Sequence, residues 1–203
     1  RTSDAMACSR GTRWYSTSAT VGTDLTVTGT SLTFMPGMTT GTINVTITGD
    51  MINEAHENFV MTLSNATGRG VGISDATGAG LINDNDDATI AISDVTVTEG
   101  NMGTVNAAFT VTLSLASEQA PTVMAATADG TATTANNDYT ANMGTITFMG
   151  ASQSETFTVA VNGDTTPEMT ESFTVNLSAA TGRGVTIADT TGAGTITDDD
   201  NAT

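Results

Sequence analysis

The feature that most constrains this chain is an internal repeat. Set against itself at an offset of 114 residues, the sequence aligns Asp24–Asp86 with Asp138–Asp200 without a gap, and 29 of the 63 aligned positions are identical. The longest identical block is Ala66-Thr-Gly-Arg-Gly-Val71 against Ala180-Thr-Gly-Arg-Gly-Val185, followed by Thr77-Gly-Ala-Gly80 against Thr191-Gly-Ala-Gly194. Identity at this level over a single register means one architecture written twice. The register also divides the chain. Residues 88–200 form one complete unit, and 1–87 form an N-terminally incomplete one whose match is clear from about residue 24. Residues 201–203 open a further repeat. Because residue 1 aligns with residue 115, positions 88–114 have no counterpart in the first unit.

Within the unit the hydrophobic period is two. Phe109, Val111 and Leu113 alternate with Thr110, Thr112 and Ser114, and Phe157, Val159 and Val161 alternate with Thr156, Thr158 and Ala160. Phe173, Val175 and Leu177 follow the same rule, as do Ile43, Val45 and Ile47 and then Phe59, Met61 and Leu63 in the first unit. Alternation with β-branched enrichment predicts half-buried strands, and helical spacing is nowhere sustained. Strand-like runs broken at short intervals by Gly, Asn and Asp predict an all-β chain of two tandem antiparallel β-sandwiches, immunoglobulin-like, with about seven strands per complete unit.

Charge narrows the partners. Twenty-two carboxylates face five basic residues, all Arg, for a formal net charge of −17. A surface of this sign is repelled by phosphate backbones, which excludes nucleic acid as a partner. No apolar run reaches the length of a bilayer-spanning helix, so no membrane insertion is expected in this segment. Cys8 is the only cysteine, so no internal disulfide framework exists. Arg1 to Tyr15 shows no apolar h-region and is not read as a signal peptide. It differs from the rest in holding Arg1, Arg10, Arg13 and the only Trp, Trp14.

The carboxylates are ordered by the repeat. Glu99, Asp138, Asp164, Glu168, Glu171 and the run Asp198-Asp199-Asp200 are matched in the first unit by Asp24, Asp50, Glu54, Glu57, Asp84 and Asp86, with no counterpart for Glu99. All but Glu99 stand at expected strand ends or turns, which an antiparallel sandwich can bring to one pole. Gathered there without a counter-charge, they repel one another at a cost of several kcal/mol. A hard divalent cation relieves that cost, and a flexible multi-carboxylate site suits Ca²⁺ better than Mg²⁺. The alternative is a solvated acidic surface; recurrence at a fixed offset favours the metal. His56, the only histidine, matches Thr170 and reads as an exposed turn residue. No Ser-His-Asp or Cys-His set can be built around it. No Walker pattern is present, and the paired carboxylates recur beside strand ends as structural ligands do.

The segments Asn137-Asp-Tyr-Thr140, Gly144-Thr-Ile-Thr-Phe148, Gly163-Asp164, Glu168 to Glu171 with Phe173, and Gly194 to Asp200 resemble the Calx-β domain. So do Val97-Thr-Glu-Gly100 and Gly41 to Ile47. The resemblance is to tandem domains of bacterial-type, adhesin-like extracellular repeat proteins. It implies an immunoglobulin-like sandwich with calcium at the pole where the chain exits. Carried over by position, it implies as ligands Glu99, Asp138, Asp164, the Thr166 carbonyl, Glu168, Glu171, Asp198, Asp199 and Asp200. In the first unit it implies Asp24, Asp50, the Ile52 carbonyl, Glu54, Glu57, Asp84 and Asp86. Gly163 and Gly49 stand where strongly binding members carry Asp, and Asn85 replaces the middle Asp of the closing run; both imply fewer ions or weaker sites. The expected function is that of a non-enzymatic structural or adhesive repeat protein at the cell surface. Its calcium-loaded poles would stiffen a stalk, fibre or surface layer, with neighbouring repeats, identical subunits, surface glycans or proteins as partners. Two alternatives are a self-assembling filament subunit joined by strand complementation and a spacer region of a large secreted enzyme.

Overall fold

The computed structural model describes residues 6–8, 13–16, 18–29 and 31–200. Arg1, Arg10 and the residues 201–203 expected to open a further repeat lie outside the described residues. Among the described residues every regular element is a strand, and no helix is long and apolar enough to cross a membrane. The chain divides into two compact units: one contains Arg1–Asp50 and Ala55–Asp84, the other Met51–Glu54 and Asn85–Thr203. The division differs from the repeat boundary in two places, since Met51–Glu54 and Asn85–Asp87 of the first repeat belong to the second unit.

The first unit contains β1 (Met6–Cys8), β2 (Arg13–Ser16), β3 (Leu25–Thr28), β4 (Leu32–Phe34), β5 (Asn44–Ile47), β6 (Glu57–Thr62) and β7 (Thr77–Ile82). They pair as β1-β4, β3-β5 and β2-β6-β7. The second contains β8 (Ala88–Ile92), β9 (Val95–Thr98), β10 (Gly103–Leu113), β11 (Thr122–Ala128), β12 (Met143–Thr147), β13 (Ser154–Gly163), β14 (Glu171–Thr181), β15 (Val185–Ile187) and β16 (Thr191–Thr197). These form a four-stranded sheet, β13-β10-β8-β15, and a five-stranded sheet, β12-β11-β14-β16-β9.

The expected alternation is realised in the second unit. Phe109, Val111, Val159, Val161, Phe173 and Val175 are fully buried, and the intervening Thr residues face outward. Phe109 meets Phe173 edge-on at 5.9 Å across the two sheets, an arrangement aromatic rings favour. The sandwich is antiparallel as expected, with two short parallel pairings made by its first strand. The first strand is divided, so that β8 lies parallel to β15 in one sheet and β9 parallel to β16 in the other. Ser93 and Asp94 make the crossing and are held from both sides. The Ser93 hydroxyl accepts the Thr110 N–H at 3.0 Å, and Asp94 Oδ1 accepts the Ala193 N–H at 2.7 Å. Division of the strand and the short β15 raise the segment count from the expected seven to nine.

The first unit buries less. Val161 has no exposed surface, yet its counterpart Ile47 is 46% exposed, and Phe59 is only half-buried where Phe173 is fully so. β13 pairs with β10 along most of its length, whereas β5, its counterpart, pairs among the described residues only with β3. Among the described residues no strand pairs with that edge, and alternation by itself places apolar side chains on one face without covering them.

Candidate metal centre

One end of the second unit collects its acidic loops. Glu99 follows β9, Asp138 precedes β12, Asp164 and Glu168 lie between β13 and β14, Glu171 opens β14, and Asp198–Asp200 follow β16. Antiparallel pairing of β10 with β13 and of β14 with β16 brings these segments to the same pole. Each is set by local bonds. Asp138 Oδ2 accepts the Thr133 N–H at 2.6 Å, and the Asp138 carbonyl accepts the Asn162 N–H at 2.9 Å. Next to it, Tyr139 stacks on Phe173 at 4.5 Å and donates its hydroxyl to Asp129 at 2.6 Å. Burial, and then the Asp129 bond, push the Tyr139 phenol up to about 12. The same bond, with the Thr134 N–H, holds Asp129 below the ordinary carboxylate value. Asp129 was not among the expected functional residues; its part is to anchor the tyrosine beside Asp138.

Asp198 joins two of the loops. Its Oδ2 accepts the Glu168 N–H at 2.9 Å, and its Oδ1 accepts the Asp200 N–H at 2.8 Å. Asp164 Oδ1 accepts the Thr166 N–H at 2.6 Å, closing the turn that carries the Thr166 carbonyl. Two groups of carboxylates then converge, each with oxygens within 4.8 Å of one another: Glu99, Asp198 and Asp200, and separately Asp138, Glu168 and Glu171. Asp164 acts electrostatically on members of both. Asp199 is the exception in the second unit's set. It turns to the β9–β10 connection, where it accepts the Gly100 N–H at 3.0 Å and the Asn101 side-chain amide at 3.4 Å.

Gly163, where a further Asp was the alternative, has a steric reason. A Cβ there would stand 2.0 Å from the Gly100 carbonyl oxygen and 2.7 Å from that of Glu99. The β9–β10 turn passes too close for any side chain. Gly49, its counterpart, faces open space.

The first repeat's set is arranged differently. Asp24 Oδ2 accepts the Thr20 N–H and closes a local turn. Asp24, Asp50, Glu57 and Asp84 belong to the first unit, while Ile52, Glu54 and Asp86 are counted with the second. Among the described residues the converging groups are the two trios named above, and neither draws on these residues. His56 is exposed, as expected of a turn residue, and its Nδ1 accepts the Asp84 N–H at 3.1 Å.

The electrostatics of the pole test whether a cation fits. Glu99 is 3% exposed, and burial followed by the charges of Glu168, Asp164, Asp198 and Asp200 raises its carboxyl to about 7. Burial is also the leading cause of the upward shifts of Glu168, Glu171 and Asp200. After burial, Glu168 responds to Asp164 and Asp138, Glu171 to its bond with Asp138, and Asp200 to Asp198 and Asp199. Every charged neighbour in these shifts is negative. Asp200 Oδ2 is buried with no hydrogen-bond partner, which is costly unless something fills its lone pairs. A divalent cation with oxygen ligands would satisfy that atom and reverse the repulsion; the donor set fits one.

Comparison with known proteins agrees with this fold. No curated protein matches the chain. Among solved structures, the apo form of the Calx CBD1 domain is 24% identical, with 56% of this chain and 99% of that one covered at a TM-score of 0.48. The calcium binding domain CBD12 of CALX1.1 is also 24% identical, over 56% of this chain and 47% of that one, at a TM-score of 0.50. The family model of the Calx-beta domain matches twice, over residues 13–95 and 82–201. This chain therefore belongs to the Calx-beta domain family, as a tandem of two such domains.

Proposed function

We propose that the second unit is a calcium-binding module and that the chain serves as a non-enzymatic structural or adhesive segment outside the cell. The observation that carries the reading is the pair of carboxylate trios, with Glu99 buried among like charges and Asp200 Oδ2 buried without a partner. Glu99, Asp198 and Asp200 would hold one ion, and Asp138, Glu168 and Glu171 another. Asp164 and the Thr166 carbonyl border both. Ca²⁺ suits such a set because it accepts many oxygens in irregular geometry, whereas Mg²⁺ demands a near-ideal octahedron. Binding would displace the proton from Glu99 and lock the four loops together. With Gly163 supplying no ligand, the affinity expected is that of an extracellular module, about 10⁻⁴–10⁻³ M, which loads where calcium is abundant.

In this reading, loaded poles stiffen a stalk, fibre or surface layer whose partners are neighbouring repeats, identical subunits, or glycans and proteins of the surface. The first repeat's set, Asp24, Asp50, Ile52, Glu54, Glu57, Asp84 and Asp86, contributes weaker binding or none. Calorimetric titration of the EDTA-treated chain tests the metal. The expected result is a saturable heat and a raised melting temperature. Asp198→Asn and Glu168→Gln should each lower the affinity at least tenfold, and Asp199→Asn should change it far less. No heat and an unchanged melting curve at millimolar calcium would overturn the reading.

A further inference from the structure

The sandwich of the second unit ends in four outer strands, β12 and β9 in one sheet and β13 and β15 in the other. An outer strand presents main-chain N–H and C=O groups to whatever lies beside it, and folded chains shorten, charge or cover such edges. Three of the four are managed within the unit. β15 is only three residues long. β9 has four and is bracketed by the carboxylates of Asp94 and Glu99. The edge of β13 is covered by the segment that precedes β12. Thr140 donates its N–H to the Ala160 carbonyl at 2.8 Å, and Asn162 donates its N–H to the Asp138 carbonyl at 2.9 Å. Asn142 Nδ2 donates to the Thr158 carbonyl at 2.7 Å, and further along the Ser152 hydroxyl donates to the Ser154 carbonyl at 3.1 Å.

β12 has none of these devices. Its pairing with β11 is bounded by two bonds, Thr127 N–H to the Asn142 carbonyl and Phe148 N–H to the Pro121 carbonyl, both at 3.0 Å. Hydrogen-bonded pairs alternate with non-hydrogen-bonded ones along an antiparallel ladder. In the register that sets Gly144 against Ala125 and Ile146 against Val123, it is therefore Gly144 and Ile146 that bond to β11. Met143, Thr145 and Thr147 turn their N–H and C=O groups the other way, to the open edge. Among the described residues no strand pairs with that side. The pairing with β11 runs without a bulge, and the strand contains no proline. No side chain from Tyr139 to Ser154 is charged, nor any from Gln119 to Ala128 across β11.

This edge is complementary to itself. About a two-fold axis at Thr145 it meets its own copy as an antiparallel ladder, with Thr145 opposite Thr145 and Met143 opposite Thr147. These are the residues whose main-chain groups are free, so each pair exchanges both of its bonds. Between them Ile146 comes opposite Gly144 of the copy, where a Cβ would meet nothing within 4 Å, so the approach is unobstructed. Met143, 72% exposed, gains a neighbour in Thr147. Charge selects the same place. Two chains of net charge −17 repel one another, and an uncharged edge is where they approach at least cost.

We propose that the β12 edge of the second unit is a self-association surface, on which β12 of a second copy of this chain pairs antiparallel and joins the two five-stranded sheets into one. One short strand makes a small interface, so single chains associate weakly; chains carrying several such units side by side associate more tightly. The test is sedimentation equilibrium with amide hydrogen exchange on the full chain, in EDTA so that no cation bridges the copies. The weight-average mass is expected to climb towards twice that of the chain at about 1 mM protein. It should climb further with added salt, which screens the repulsion. Exchange at the Met143, Thr145 and Thr147 amides should slow at least twofold between dilute and concentrated chain, with Gly144 and Ile146 unchanged. Thr145→Lys and Thr145→Asp, both at an exposed side chain, should melt as wild type yet stay monomeric, because like charges then stand opposite each other. Mixed in equal amounts, the two variants should recover the dimer, Lys facing Asp. A chain that stays monomeric throughout overturns the proposal. So does a dimer indifferent to Thr145→Lys, or one without slowing at the three amides, since the contact would then lie elsewhere. Failure of the mixed variants to pair overturns it as well, because Thr145 would not then lie on the axis.

Discussion

Glu99 is placed where its charge is least welcome. It is buried beside Asp198 and Asp200, and its carboxyl titrates near 7 instead of its ordinary 4.5. A carboxyl raised in the folded state is protonated there while the unfolded chain has already released its proton. The stability it contributes is therefore complete below about pH 4.5 and is lost as pH rises through 7, at most about 1.4 kcal/mol per pH unit. Glu168 and Glu171 shift in the same direction. Asp129 shifts the other way, so its contribution is complete above its own unfolded value and is lost as pH falls below it. In EDTA the melting temperature of the second unit should fall between pH 5 and 7.5. Saturating calcium should flatten or invert that slope, because the ion replaces the proton. Glu99→Gln, a neutral isostere, should remove most of the slope and raise metal-free stability at pH 7.5 while weakening calcium binding. A melting temperature that rises over this interval in EDTA would contradict the placement of Glu99.

At the scale of the strand, a glycine and a phenylalanine form one device that the repeat uses twice. Gly194 on β16 pairs with Phe173 on β14, and a Cβ on it would stand 2.4 Å from the ring. Gly80 on β7 pairs with Phe59 on β6 in the same register, at 2.2 Å. The Phe173 ring is confined by Phe109 and Tyr139 and cannot yield. Gly194→Ala should therefore cost about 1–3 kcal/mol in urea unfolding. Phe59 is half-exposed and can swing aside, so Gly80→Ala should cost less than half as much; equal costs would mean that the Phe59 ring is as confined as that of Phe173. Thr-Gly-Ala-Gly stood out in the sequence as a repeat, but its meaning needed the partner strand. The long strands β10, β13 and β14 were legible because alternation states which face is buried. The division of the first strand was not, since Ser93-Asp94 looks like any polar pair until bonds arrive from both sheets. Similarly, the repeat register named the carboxylates that meet at the pole, whereas Asp199 turns to the Gly100 N–H and the Asn101 side chain, partners the alignment does not show. The buried Asn53 left no signal at all, because its side-chain partners lie from 33 to 130 residues away and its counterpart is a proline.

The whole chain joins two units of one family with unequal interiors. The second has a continuous core running from Ala88 to Ile196, while the only buried hydrophobic side chains described in the first are Ala19 and Leu25. Burial at about 25 cal/mol per Å² of apolar surface dominates folding stability, so the first unit should open at lower temperature. Cation ligands, in the proposed reading, are concentrated in the second. Scanning calorimetry of the full chain should therefore show two transitions, with the first insensitive to calcium. Ligand at a hundred times its dissociation constant adds about 2.7 kcal/mol to the unit that binds it. For a domain of this size that moves the second transition upward by about 10 °C. EDTA should bring it back, and Asp198→Asn should abolish the shift without touching the first transition. A calcium shift confined to the first transition would reverse the assignment of the site, and a single transition moving as a whole would mean that the two units melt as one.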